Sequence, residues 1–436
     1  MRKNINKIVA FTIGISIMSG SIMPVFAADS NQTITSEVNQ VTSITANTAL
    51  NISSAANVQN QVKKTAVLTL KEAIDAAINN SDQLALKSKE IKLYEDKADI
   101  QEELDDLQGS DDDFPYDKLE LTIKQTKEQK EYTEDQITED IANKYNNIVL
   151  MQNTLNKLKK QIEIQTRDNE NAKFKKSLGM SISLDISKAE IELQKLKNSE
   201  KAQQDQLKNA TDYFKIITER DINNYVLEQD QEYKEFRIEG SLDEYFDNVV
   251  DKYYKYDNKL FEMTKDNLKD NDVDRPSSND KPNTDDSRFQ KDITDVDGNV
   301  TGKEFDSKAY DAAEQTYVGL WNDFGNYLQN KYNLSSSKVS LDEKKKNLKK
   351  GLKESYASLA SMENDINVAK SNMDVKNKEL SIAKLKYDEG LITKINYDKQ
   401  VLDYEDLETN LRSSINSYNK LKNQIQKPWL LSSSAS

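Results

Sequence analysis

The sequence predicts an all-α protein made of two tandem long helical hairpins of the coiled-coil type. Three observations carry that prediction: an apolar repeat every seven residues, a scarcity of turn formers, and a chain that matches itself when shifted by 211 positions. Only 11 Gly and 5 Pro occur in 436 residues, too few for the many turns of a β-sandwich or an ordinary α/β enzyme. With 61 Lys+Arg against 75 Asp+Glu the net charge is −14, which argues against a general nucleic-acid binder. The chain has no His and no Cys. That excludes His- or thiolate-ligated zinc, Ser-His-Asp and Cys-His nucleophiles, disulfides and a lipid-anchored N-terminal Cys.

Residues 1–27 read as a secretory signal peptide: Arg2, Lys3 and Lys7, then an apolar stretch, then Val25-Phe26-Ala27 with small residues at the −3 and −1 positions. The apolar run falls short of the ~20 residues that span a bilayer. Residues 28–66 are rich in Ser, Thr, Asn and Gln and read as a flexible polar lead-in. The prolines then punctuate the chain. Pro115 is in an acidic loop, Pro276 and Pro282 in a second polar loop, and Pro428 just past the last helix. Since an interior Pro costs a helix about 3 kcal/mol, the stretches between them are free to be helical. A helix from about 120 to 176 would be ~85 Å long. Lone glycines, Gly179 and Gly390, mark where a helix stops and reverses.

Inside the helices the apolar spacing alternates three and four. The seam runs through Ile137, Ile141, Ile148, Leu155, Leu158 and Ile162 before Gly179, and through Ile186, Leu193, Leu207 and Phe214 after it. It returns with Leu341, Leu348, Leu352, Leu359 and Ile366, then Tyr397, Tyr404, Leu411, Tyr418 and Ile425. Polar residues interrupt it at Asn169, Glu200, Gln203, Lys376 and Gln400. Under the 211-residue shift Gly179 meets Gly390 and the heptad phase holds on both arms. Thr69-Leu70-Lys71-Glu72 and Ser241-Leu242-Asp243-Glu244 both read as capping boxes that open short amphipathic helices. The expected division is a first repeat over 67–238, a second over 239–427 with a polar insertion at about 264–316, and a tail over 428–436.

These residues resemble a family. The opening L-T-L-x-E-A-I-x-x-A at 68–77, and each tip where A-K-x-K precedes a Gly and a long helix, look like TolC-type outer-membrane efflux proteins. The resemblance implies a helical hairpin per repeat, short equatorial helices, and three chains assembling a tunnel whose helix tips dock a membrane-fusion adaptor of an ABC-type or similar exporter. It places the adaptor-docking tips at Leu178, Gly179 and Met180 and at Gly390 and Leu391, with Glu389 where the family has an apolar residue. Candidates for the tunnel mouth are Asp185, Tyr387 and Asn396. The family also threads β-strands into an outer-membrane barrel. Here the corresponding stretches, 101–125 and about 264–335, lack the ~10-residue apolar alternation of a membrane strand. The barrel strands are therefore expected to be absent or rudimentary.

Asp295, Asp297 and Glu304 partly match a calcium loop, but its first position is Ile293, which cannot ligate, so a solvated acidic loop is expected. No constellation suggests catalysis or a cofactor. The leading expectation is an exported homotrimeric conduit or docking tube in the cell envelope, in the outer membrane by family or at the cell wall of a Gram-positive host. The alternative is a structural coiled-coil envelope protein without a channel.

Overall fold

The computed structural model describes residues 66–435 apart from 110, 111, 181, 182, 230 and 299; the expected signal peptide and the lead-in up to residue 65 lie outside the described residues. The order is β1 (Ala66–Leu68), α1 (Leu70–Asn79), α2 (Asp82–Gln108), α3 (Phe114–Ser177), α4 (Ser183–Thr218), β2 (Tyr225–Leu227), α5 (Leu242–Tyr253), α6 (Lys255–Asp270), β3 (Gln290–Thr294), β4 (Val300–Phe305), α7 (Ser307–Asp388) and α8 (Lys394–Gln426). The protein is all-α, with two short two-stranded sheets among the described residues. Two units are distinguished: 94–123 with 251–347, and 66–93 with 124–250 and 348–435.

In the larger unit, α1 starts where Thr69 caps it. The Thr69 hydroxyl accepts from the Glu72 amide at 3.2 Å, and Glu72 accepts from the Thr69 amide at 2.9 Å. Ala73 and Ala77, one turn apart, then face inward and are buried. At its end Asn80 donates to the carbonyls of Ile216 and Ile217, satisfying the last turn of α4. β1 lies parallel to β2, with Leu68 opposite Leu227. Beneath them Ile141, Tyr145, Ile148, Phe214 and Ile222 complete a buried core.

Helix α3 has two buried sides, where the seam predicts one. On one side it meets α4: Gln203 donates to the Met151 carbonyl, and Lys173 pairs with Glu190 at 2.9 Å. On the other it meets α8, where Lys157, off the seam, is buried beside Asp406. In the second hairpin Leu348, Leu352, Leu359 and Ile366 of α7 and Leu402, Ile415, Tyr418 and Ile425 of α8 are buried. Helix α5 starts where the Ser241 hydroxyl accepts from the Glu244 amide, and its buried Phe246 joins Tyr245, Phe236 and Tyr356 in edge-on ring contacts.

Between the halves, residues 231–239 form a strap in neither helix nor strand. Its main-chain groups bond to side chains: the Glu232 carbonyl accepts from Asn419 at 2.8 Å, and the Phe236 amide donates to the Tyr418 hydroxyl at 2.7 Å. Arg237 forks onto both oxygens of Glu363, and Tyr233 packs on Tyr418 with Lys370 over its ring.

In the smaller unit the stretch expected as a polar insertion is more ordered than its composition suggests. Helix α6 continues to Asp270, β3 and β4 form an antiparallel hairpin, and α7 begins at Ser307. Phe289 and Phe305 close on Tyr310 at ring distances of 5.4 and 5.6 Å, which anchors the hairpin to α7. Its strands, five and six residues long, are well short of the ~9–11 residues of a membrane strand. The acidic stretch after residue 101 is helical up to Gln108, and Pro115 sits at the start of α3, where a missing N–H does no harm. The barrel strands are thus rudimentary among the described residues, and no described helix is long and apolar enough to cross a membrane.

Candidate functional site: hairpin tips and the seam between hairpins

Both tips close in the same way. The Met180 amide donates to the Lys175 carbonyl at 2.8 Å and the Gly179 amide to that of Lys176 at 2.9 Å. The Leu391 amide donates to the Lys386 carbonyl at 2.8 Å and the Gly390 amide to that of Tyr387 at 2.9 Å. This double bond pattern ends a helix with one residue in the left-handed region, and Gly179 and Gly390 have φ of +71° and +72°. Leu178 and Met180 at the first tip and Leu391 at the second are exposed. The first tip therefore presents an apolar pair, with Phe174 and Leu184 exposed nearby.

The other candidates flank the turns. Asp185 is exposed in the first turn of α4, where a negative charge suits the helix dipole. Tyr387 stacks on Tyr397 across the second turn, with centroids 5.3 Å apart and planes 11° apart, and Lys394 lies over both rings. Asn396 is exposed, and its amide donates to the Thr393 hydroxyl that caps α8. The partial calcium motif is a hairpin turn. The Asp297 amide donates to the Asp295 side chain, Gly298 turns with φ of +84°, and Glu304 pairs with Lys291 at 2.8 Å. No group of three or more acidic residues able to hold a metal is found among the described residues.

A set of charged residues that seam reasoning passes over links the two hairpins. Helices α3 and α8 run antiparallel. Lys160 meets Glu405 at 2.8 Å, Arg167 meets Asp398 at 3.1 Å, Lys399 meets Asp168 at 3.0 Å, and Lys157 lies 3.4 Å from Asp406. Further along, Asp135 takes both Lys427 and the Trp429 indole N–H. The sequence does hold a signal for this contact, a shared interval: Lys160 and Arg167 are seven residues apart, as are Asp398 and Glu405. Lys157 and Glu405 are the buried members, with side chains 2% and 1% exposed. Burial pulls the Lys157 ammonium down to about 7, against the attraction of Glu405. Burial likewise pushes the Glu405 carboxyl up to about 7, against its bond to Lys160.

No family model matches the chain, and no curated protein matches it. Solved structures do. A crystal structure of CusC, described in terms of folding and transmembrane channel formation, aligns with a TM-score of 0.50 at 13% identity over 86% of this chain and 94% of that one. The CmeC outer-membrane channel of Campylobacter jejuni aligns at 0.45 and 14% identity, over 90% and 95% of the two chains. A membrane protein from Pseudomonas aeruginosa aligns at 0.46 and 10% identity, over 89% and 98%. Two long hairpins with matching tips, laid side by side and aligned with CusC over most of both chains, give this protein the fold of the TolC-type outer-membrane channels.

Proposed function

We propose that this protein is an exported, TolC-like efflux component whose three copies form a helical conduit or docking tube for a membrane-fusion adaptor and an ABC-type or similar exporter of the inner membrane. The observation that carries this reading is a set of apolar stripes left exposed among the described residues. Leu86, Leu93, Ile100 and Leu107 are exposed at seven-residue intervals on α2, and Val368, Val375 and Ile382 at the same interval on α7. A stripe at that spacing suits another helix. A ring of copies, each offering one stripe to the next, covers them all and closes on itself.

In this reading the two repeats, 67–238 and 239–427, supply one hairpin each, and the tips at Leu178, Gly179, Met180, Gly390 and Leu391 meet the adaptor. Asp185, Tyr387 and Asn396 lie at the mouth. The function is binding and passage, without catalysis, in the cell envelope. The pairs Arg167–Asp398 and Lys399–Asp168 tie the hairpins together towards the tips, so widening the mouth requires them to separate.

Mass photometry of the purified mature chain tests the assembly, and a pull-down with the adaptor tests docking. A trimer, together with loss of adaptor binding on deletion of residues 178–180, supports the conduit. A monomer or an elongated dimer favours a structural coiled-coil envelope protein, and adaptor binding that survives the deletion removes the tip assignment.

A further inference from the structure

Glu405 sits in the seam where α3 meets α8, and its surroundings leave it poorly solvated as an anion. One oxygen accepts from Lys160 at 2.8 Å, and the other, Oε2, is buried and accepts no hydrogen bond from any described residue. A carboxylate offers about four acceptor sites, so a single donor leaves most of its charge uncompensated. We propose that Glu405 is a proton-binding site that tightens the joint between the two hairpins as the surroundings acidify from neutral pH.

The charged groups around it come from both helices. Lys160 and Lys157 of α3 attract the anion, Glu408 of α8 repels it, and Asp406 of α8 faces Lys157. On the α7 side Lys376 is engaged with Glu379 at 3.1 Å and Asp403 at 3.7 Å. The ion pair from α4 to α3, Lys173–Glu190, is nearer the first tip.

Because the carboxyl of the folded chain holds its proton up to about 7, against 4.5 when solvated, Glu405 contributes stability that is full below 4.5 and is lost as pH rises through about 7. Lys157 acts in the opposite window. Its contribution is present above 10.5 and lost as pH falls through about 7, so it adds no slope between 4.5 and 7. Acidification across that range therefore strengthens the seam at Glu405 alone of the two. This proton site belongs to one seam within one chain and stands whether or not three copies form a conduit.

Infrared spectroscopy of the mature chain with carbon-13 glutamate reads the proton directly. A protonated, buried carboxyl band is expected at about pH 5, fading near neutrality, and missing from Glu405→Gln. Hydrogen exchange supplies the mechanical reading. At about pH 8 the amides of α3 and α8 beside the site should exchange more slowly in Glu405→Gln than in the native chain, and the difference should vanish by about pH 5. A native chain in which no labelled glutamate titrates above about pH 6 overturns the proposal without recourse to any variant. Exchange in Glu405→Gln that is as fast as native at about pH 8 overturns the tightening.

Discussion

The Tyr145 hydroxyl donates to the Leu68 carbonyl at 2.6 Å and accepts from the Glu228 amide at 2.7 Å, so one side chain of α3 fastens both strands of the parallel pair. The residue is buried, and burial pushes its hydroxyl up to about 12, which keeps it a donor throughout the ordinary pH range. Tyr145→Phe leaves the Leu68 carbonyl and the Glu228 amide with their direct bond to each other at 3.3 Å and without the hydroxyl that bridges them. The expected loss is about 0.5–1.5 kcal/mol of local stability, read as faster exchange of the β1 and β2 amides with helix content unchanged.

The two tip glycines need their left-handed backbone but not their empty space. A Cβ at Gly179 or Gly390 meets nothing within 4 Å, so a substitution there is strained in the backbone alone. Gly179→Ala and Gly390→Ala should each weaken their turn by about 1 kcal/mol, while Asn, which tolerates this region, weakens it less. Exchange of the Met180 and Leu391 amides, the hydrogens that close the two turns, measures the effect.

How much of this is legible in the sequence depends on how local each cause is. Thr69 with Glu72 marks a helix start and Gly179 and Gly390 mark reversals because one residue's chemistry decides each event. The heptad seams identify the faces buried within each hairpin, such as Ile141, Ile148, Leu352 and Leu359. They leave the α3–α8 contact unread, because a charged flank such as Lys160 or Asp398 does not say which helix it faces. Polar, exposed strands hide the β3–β4 hairpin, and its Asp295–Gly298 turn shares residues with the partial calcium motif. The strap is hidden because its bonds come from side chains far along the chain, Tyr418 and Asn419 among them.

The exposed stripe on α7 gives the assembly a test that spares the fold. Val375 and Ile382 are more than half exposed, so replacing both with Lys removes little burial within the chain. Val375→Lys with Ile382→Lys should leave the circular dichroism spectrum unchanged while shifting mass photometry from trimer to monomer, with a lower thermal midpoint only to the extent that assembly had raised it. An unshifted trimer removes α7 from the interface.

Lys157 offers a pH test of opposite sign to that of Glu405. Burial holds its ammonium at about 7 in the folded chain against 10.5 when solvated, so native stability is lost as pH falls through about 7. Lys157→Met, which has no charge to bury, should exceed the native chain below that pH by on the order of 2–4 kcal/mol, since each tenfold change in proton affinity is worth about 1.4 kcal/mol. The advantage should shrink steadily towards pH 10.5, as read by urea unfolding at a series of pH values.

The strap over residues 231–239 acts as a ruler. Its anchor points, Asn419, Tyr418 and Glu363, stand at set places on two rigid rods, and each engages one particular link. Its length is thus held as firmly as its contacts: dropping a single residue near Lys234 moves Phe236 and Arg237 off their marks together.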